Sequence, residues 1–177
     1  MASQRRLLIA INLLGGVAVL GSYAYCLSRF PGNVGAFWGD LPHRMRPLYT
    51  VNMFLAALGY FAFSFFLLFR LDSGKRLDGR SVLGRFNFFY ALILLPSALW
   101  MPLTFMMLDS PAVGIWWAIR LVLALVGIGS LGLLAGLVLV RPSEPSAAWR
   151  LSIAGAMAFS LQTALLDAIV WPAFFPI

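Results

Sequence analysis

The chain has 177 residues, 62% of them hydrophobic and 11% charged, with a formal net charge of +7 and a mean hydropathy of +0.90. Soluble domains carry about 25% charged and about 45–50% apolar residues, so this composition excludes an ordinary water-soluble globule and puts much of the surface in lipid. The excess of 13 Lys+Arg over 6 Asp+Glu could serve nucleic acid, but its placement between apolar runs follows the positive-inside rule, so no nucleic-acid partner is expected.

A membrane-crossing helix needs about 20 mostly apolar residues, and five runs qualify. They predict an all-α integral membrane protein, one domain over residues 1–177 built as a five-transmembrane-helix bundle. Period-2 alternation is absent, so strands are not expected. Helix 1 spans 7–28. Arg5 and Arg6 precede it and Ser22-Tyr23-Ala24 resembles a cleavage site, yet the apolar stretch outruns the roughly 7–15 residues of a signal core, and a retained anchor is expected. Asn12 and Gly16 give this helix a close-packing face.

The loop 29–49 follows, long for a small bundle and rich in turn formers: Pro31, Gly32, Gly35, Gly39, Pro42 and Pro47. Loops of this length often serve a site, and Trp38 or His43 could form part of a lid. Helix 2 spans 50–69, with Asn52, Ala56 and Gly59 as a packing face. The loop 70–85 then carries five basic residues against two acidic ones. Its Lys75 is the single lysine, so the bundle holds no retinal-type Schiff base.

Helix 3 spans 86–108. Tyr90, Ser97 and Thr104 recur every seven residues and share a face, with Trp100 beside it. Pro96 and Pro102 free backbone carbonyls that must find partners in protein or trapped water. A tight turn at Asp109-Ser110-Pro111 makes helices 3 and 4 antiparallel neighbours. Helix 4 spans 112–140 and holds Trp116, Trp117 and Arg120. Gly129, Gly132 and Gly136 lie on the face nearly opposite Arg120, where a second helix of this chain or another can approach closely.

Helix 5 spans 150–171 after a short Pro142–Ser146 link. Ser152, Ala156, Ser160, Thr163 and Asp167 form a small-and-polar stripe that should face the bundle. An ionisable residue in a span is a functional-site hypothesis by default. Counted from Arg141 and Trp149, Arg120 and Asp167 lie at matched depth, about 27–32 Å from the inner surface, and are expected to pair.

Orientation follows from charge. With alternating helices, Arg5, Arg6, the basic loop, Arg141 and Arg150 share one side, leaving Arg29, Arg44 and Arg46 opposite. The N-terminus is therefore expected in the cytoplasm and the C-terminus outside, in a multi-pass protein of the bacterial inner membrane. Tryptophan placement is uneven. Trp149 alone falls at the inner side; Trp171 and one of Trp116 and Trp117 suit an interfacial belt, while Trp100 lies about 12 Å inside the end of helix 3, too deep for one.

Catalytic signatures are missing: no zinc-protease helix, no phosphate-binding loop, no nucleophile elbow and no carboxylate cluster. Single Cys26 and single His43 exclude an intrachain disulfide, a cysteine zinc site and paired-histidine haem ligation, so no cofactor is expected. An intramembrane enzyme using Asp167 ranks last. The best-fitting function is binding or translocation of a small, mostly apolar molecule in the outer half of the bundle. Trp100, Trp116, Trp117, Arg120, Asp167, Trp38, Thr104 and Thr163 would line or cover that pocket. The alternative is a non-catalytic accessory subunit of a homo-oligomer or larger membrane complex, docking through the glycine face. Five helices, a long first loop and many tryptophans make the layout similar to that of the TspO/translocator family. That family's Trp-x-Pro-Pro motif between helices 1 and 2 is not found, so the resemblance covers layout alone and transfers no residue.

Overall fold

In the computed structural model, which describes residues 2–29, 31–72, 76–77, 80–142 and 144–175, five helices are long and apolar enough to cross a membrane. They are α1 (Ala2–Arg29), α2 (Arg46–Phe65), α3 (Val82–Asp109), α4 (Val113–Leu139) and α5 (Ala147–Ser160) with its continuation. The α2 helix runs on as a π turn, Phe66–Arg70, and α5 as a longer π segment, Leu161–Val170, closed by α6 (Trp171–Phe174).

Every expected span is present, and most begin earlier than hydropathy places them. The reason is polar anchoring and capping, which an apolar count ignores. The first turn of α1 is tied down by Asn87, whose amide donates to the Gln4 carbonyl and side chain, and by Arg5, which donates to the Leu71 carbonyl. In α2 the start moves to Arg46 because Pro47 sits in the first turn, where its missing N–H costs nothing. Ser81 caps α3 by accepting from the Gly84 N–H, and Ser146 caps α5 by accepting from the Trp149 N–H.

Two stretches read as loop hold structure. Residues Pro31–Trp38 form a 3₁₀ helix, and Gly39, at φ +50°, supplies the left-handed turn that ends it. In the basic loop, β1 (Arg76–Leu77) and β2 (Arg80–Ser81) pair antiparallel, a short hairpin that the absence of alternation did not foretell. Lys75 and Gly79 of that loop lie outside the described residues.

The helices form a ring. The α1 helix packs on α3, α3 on α4, α4 on α5 and its π continuation, and α5 on α2. The seam between α2 and α1 is closed by side chains, Tyr60 donating to Asn12 at 2.6 Å. Around it Phe63, Tyr90, Phe86, Leu133 and Leu137 fill the lower core. The α2–α5 crossing is the closest: Gly59 and Gly155 face each other, and a Cβ on either would strike the other's backbone. Asn52, Ala56 and Gly59 are buried as expected, and so are Ser152, Ala156, Ser160 and Thr163. Gly16 has nothing within 4 Å, so the packing face expected on α1 is not built there.

The α4 glycine face meets a neighbour of this same chain. Gly129 lies against Ile93 and Leu92, Gly132 against the Phe89 ring and Gly136 against the Phe86 ring, all on α3. Gly132→Leu would drive a side chain into the Phe89 ring. Phe89 is only half-buried and can swing toward lipid, so a loss of about 1–3 kcal/mol is expected in thermal unfolding in detergent. An unchanged midpoint would show that the ring does not fill this face.

Candidate functional site

The upper end of the bundle gathers residues 31–45, the α3–α4 turn and the C-terminal helix. Hydrogen bonds fasten the loop to that helix: the Trp171 indole N–H donates to the Phe37 carbonyl at 2.7 Å, and the Asp40 N–H to the Phe174 carbonyl at 2.7 Å. Leu41 is buried behind them. The loop thus covers the upper end as a lid, with Phe37 edge-on to Phe105 at 4.7 Å between ring centres and beside Trp100 at 6.3 Å. Trp38 contributes, packing edge-on against Tyr49 under the Arg46 guanidinium. His43 is exposed and takes no part in this packing.

Beneath the lid lies an aromatic cluster. Trp100 contacts Tyr23 and Trp171 at 5.8 and 5.9 Å between ring centres. Trp171 packs on Phe175 at 4.4 Å, and Trp116 stacks on Phe175 at 6.0 Å. Trp116 and Trp171 are buried, which corrects the belt reading of Trp171. Trp100 sits among other aromatic rings, as its depth suggested, and its indole nitrogen is buried without a partner. Trp117 is 61% exposed and fits the belt.

Asp167 is the point where geometry departs most from expectation. It does not pair with Arg120, which is exposed and lies over the rings of Trp116 and Trp117 at 5.9 and 5.4 Å. Two causes account for this. The α4–α5 register is fixed by Thr163 donating to Ser130 at 2.8 Å and by Gly127 against Ala164. Those contacts put Asp167 level with about residues 124–126, so Arg120 stands roughly 6–9 Å higher at 1.5 Å per residue. The second cause is winding. In a π segment the backbone bonds run from i to i+5, so residues five apart share a face. In an α-helix they would lie about 140° apart. Gln162 and Asp167 are five apart, and the Gln162 amide donates to Asp167 Oδ1 at 2.8 Å. The stripe that points at α4 through Thr163 therefore turns toward α2 by Asp167.

On that side Asn52 of α2 donates to Gln162 Oε1 at 3.0 Å and to the Ala158 carbonyl. The phenols of Tyr23 on α1 and Tyr49 on α2 lie within reach of the Asp167 charge. The Tyr49 hydroxyl faces the carboxylate without completing a hydrogen bond of ordinary geometry. Tyr23, Tyr49, Trp100 and Asp167 thus bring α1, α2, α3 and α5 to one place. Sequence reasoning missed Tyr23, Tyr49 and Gln162 as a set; a glutamine five residues before the aspartate in an apolar span was the available signal.

The other expected lining residues go elsewhere. Thr104 is fully buried and donates back to the Trp100 carbonyl, and Ser97 to the Ile93 carbonyl, so these hydroxyls are spent within α3. Thr163 belongs to the α4–α5 contact. The expected outward-opening cavity among α3, α4 and α5 does not coincide with the hollows at α3 and α4. These lie instead at the lower end, one of about 160 Å³ between Phe86 and Phe89 of α3 and Gly132 and Gly136 of α4. No group of three or more His, Cys, Asp or Glu suited to a metal ion occurs among the described residues.

No family model matches the chain, and neither the curated proteins nor the solved structures include a significantly similar one.

Proposed function

We propose that the chain is a multi-pass membrane protein, with its N-terminus cytoplasmic and its upper end outside, that binds or translocates a small, mostly apolar molecule beneath the 31–45 lid. The observation that carries this reading is the aromatic cluster around Asp167: apolar walls from several helices converge on a few polar atoms, two of them buried without partners. Tyr23, Trp100 and Asp167 each keep part of their surface open. The site is narrower than an open pocket and lies toward α1 and α2, so admission of a ligand requires the lid or the α1–α2 seam to give. That seam, held by side chains, is the softer of the helix contacts.

The second reading, an accessory subunit of a homo-oligomer or a larger complex, keeps one supporting feature. The α1 helix exposes Leu13, Leu14, Val17 and Leu20, all at least 64% open, a face for lipid or for another helix. It loses the glycine face, which α3 occupies. Purification in mild non-ionic detergent followed by solvent extraction and mass spectrometry separates the two. Binding predicts a small apolar molecule near stoichiometric amount; a stoichiometric partner protein and no such molecule would favour the accessory role.

Orientation has its own test. A reporter fused after Ile177 should report the non-cytoplasmic side and one inserted at Gly79 the cytoplasm, because nine basic residues flank the lower end and three the upper. The reverse pattern at both sites would overturn it.

A further inference from the structure

A mostly apolar ligand beneath the lid would meet one carboxyl group, that of Asp167, and the chemistry around it narrows the ligand's class. Two acidic residues fall in the five apolar spans: Asp109, which ends α3, and Asp167, which lies inside its span. Oδ1 of Asp167 accepts from the Gln162 amide, the Tyr49 hydroxyl lies close by, and among the described residues no cationic side chain pairs with it. Two of the guanidiniums at this end are engaged elsewhere, Arg46 over Trp38 and Arg120 over Trp116 and Trp117. A carboxyl group in low-dielectric surroundings either holds its proton or draws a positive complement. The groups around Asp167 favour the second. Tyr23, whose phenol lies within reach of the Asp167 charge, begins a continuous run of ring contacts through Trp100 to Trp171, and ring faces attract cations, most strongly when the cation is desolvated. Tyr49, 4% exposed, presents an unpartnered hydroxyl oxygen to the same place.

We infer that this site takes an organic cation, an ammonium group carried on an apolar body, with Asp167 as the counter-charge and Tyr23, Trp100 and Trp171 as the aromatic wall. The inference rests on the binding reading and names its ligand class. A carboxylate alone would also hold a metal or a proton, but neither needs aromatic walls. Aromatic walls alone would hold a neutral hydrocarbon, which has no use for the carboxylate. The combination is specific to a charged head with apolar substituents.

Benzyltrimethylammonium and its neutral carbon isostere, neopentylbenzene, have the same shape and differ by one charge. Titrating both into the full-length protein in non-ionic detergent, followed by tryptophan emission, should show the cation binding at least tenfold more tightly. Asp167→Asn should remove most of that preference while leaving the isostere's affinity within about twofold. Equal affinities in the wild type would overturn the cation inference and leave the binding site standing. Failure of both probes to bind would overturn the cation inference and the binding reading together. The wild-type ratio decides even if Asp167→Asn does not fold.

Discussion

Gly155→Leu should prevent the bundle from assembling, and its thermal transition in detergent should be lost or shifted by far more than that of any glycine variant outside the α2–α5 crossing. The α2–α5 crossing is a contact between backbones. An ideal Cβ on Gly155 would stand 2.6 Å from the Gly59 Cα and 2.8 Å from its carbonyl oxygen. A backbone cannot change rotamer, so the helices must part, and parting them breaks what they hold. Asn52 would lose its bonds to Gln162 and the Ala158 carbonyl, and Gln162 orients Asp167. The usual cost of overpacking, about 1–3 kcal/mol, is the lower bound. Two comparisons make the test sharp. Gly132 faces the outer edge of the Phe89 ring, which can swing aside, so Gly132→Leu should cost less. Gly16 faces nothing within 4 Å, and Gly16→Leu should be neutral or mildly stabilising because leucine favours helix more than glycine. Equal effects at Gly155 and Gly16 would mean that the crossing is not close.

The same crossing shows what the sequence could and could not tell. Hydropathy located all five helices, because a run of about 20 apolar residues has few other uses. It also located the inward face of α5 as far as Thr163, since small and polar residues at spacings of three and four must turn away from lipid. Helix starts were missed by several residues, because Gln4, Arg5, Pro47 and Ser81 extend helices by anchoring and capping, not by apolarity. The partner of Gly59 was missed because a crossing point depends on the relative height of two helices, which neither sequence states. The expected Asp167–Arg120 pair failed for a related reason. A depth count assumes uniform α winding from a charged boundary, whereas ten residues of α5 are wound as π and the register is set by Ser130 and Thr163. Depth alone did single out Trp100, which packs against the rings of Tyr23, Phe37 and Trp171.

Trp100 carries the second large effect. The chain has 6 tryptophans, and they divide by position. Trp149 lies at the lower end, its indole bonded to the Leu137 carbonyl, and Trp117 is exposed near Arg120. A neutral apolar probe such as neopentylbenzene, bound beneath the lid, would sit against Trp100 and Trp171. Trp100→Ala is therefore expected to abolish most of the emission change on titration, while Trp117→Ala and Trp149→Ala keep it. Trp100 is half-buried and its indole nitrogen has no partner to lose. The truncation should thus cost less than the ~3–5 kcal/mol typical of a fully buried large aromatic, and the variant should remain folded. Phe37→Ala supplies the complementary case. Removing the ring that covers Trp100 opens the lid without touching Asp167, so the probe should enter more readily and bind at least as tightly. A response that survives in Trp100→Ala and vanishes in Trp117→Ala would place the probe on the lipid-facing surface, because Trp117 lies outside the ring of helices and Trp100 lies under the lid.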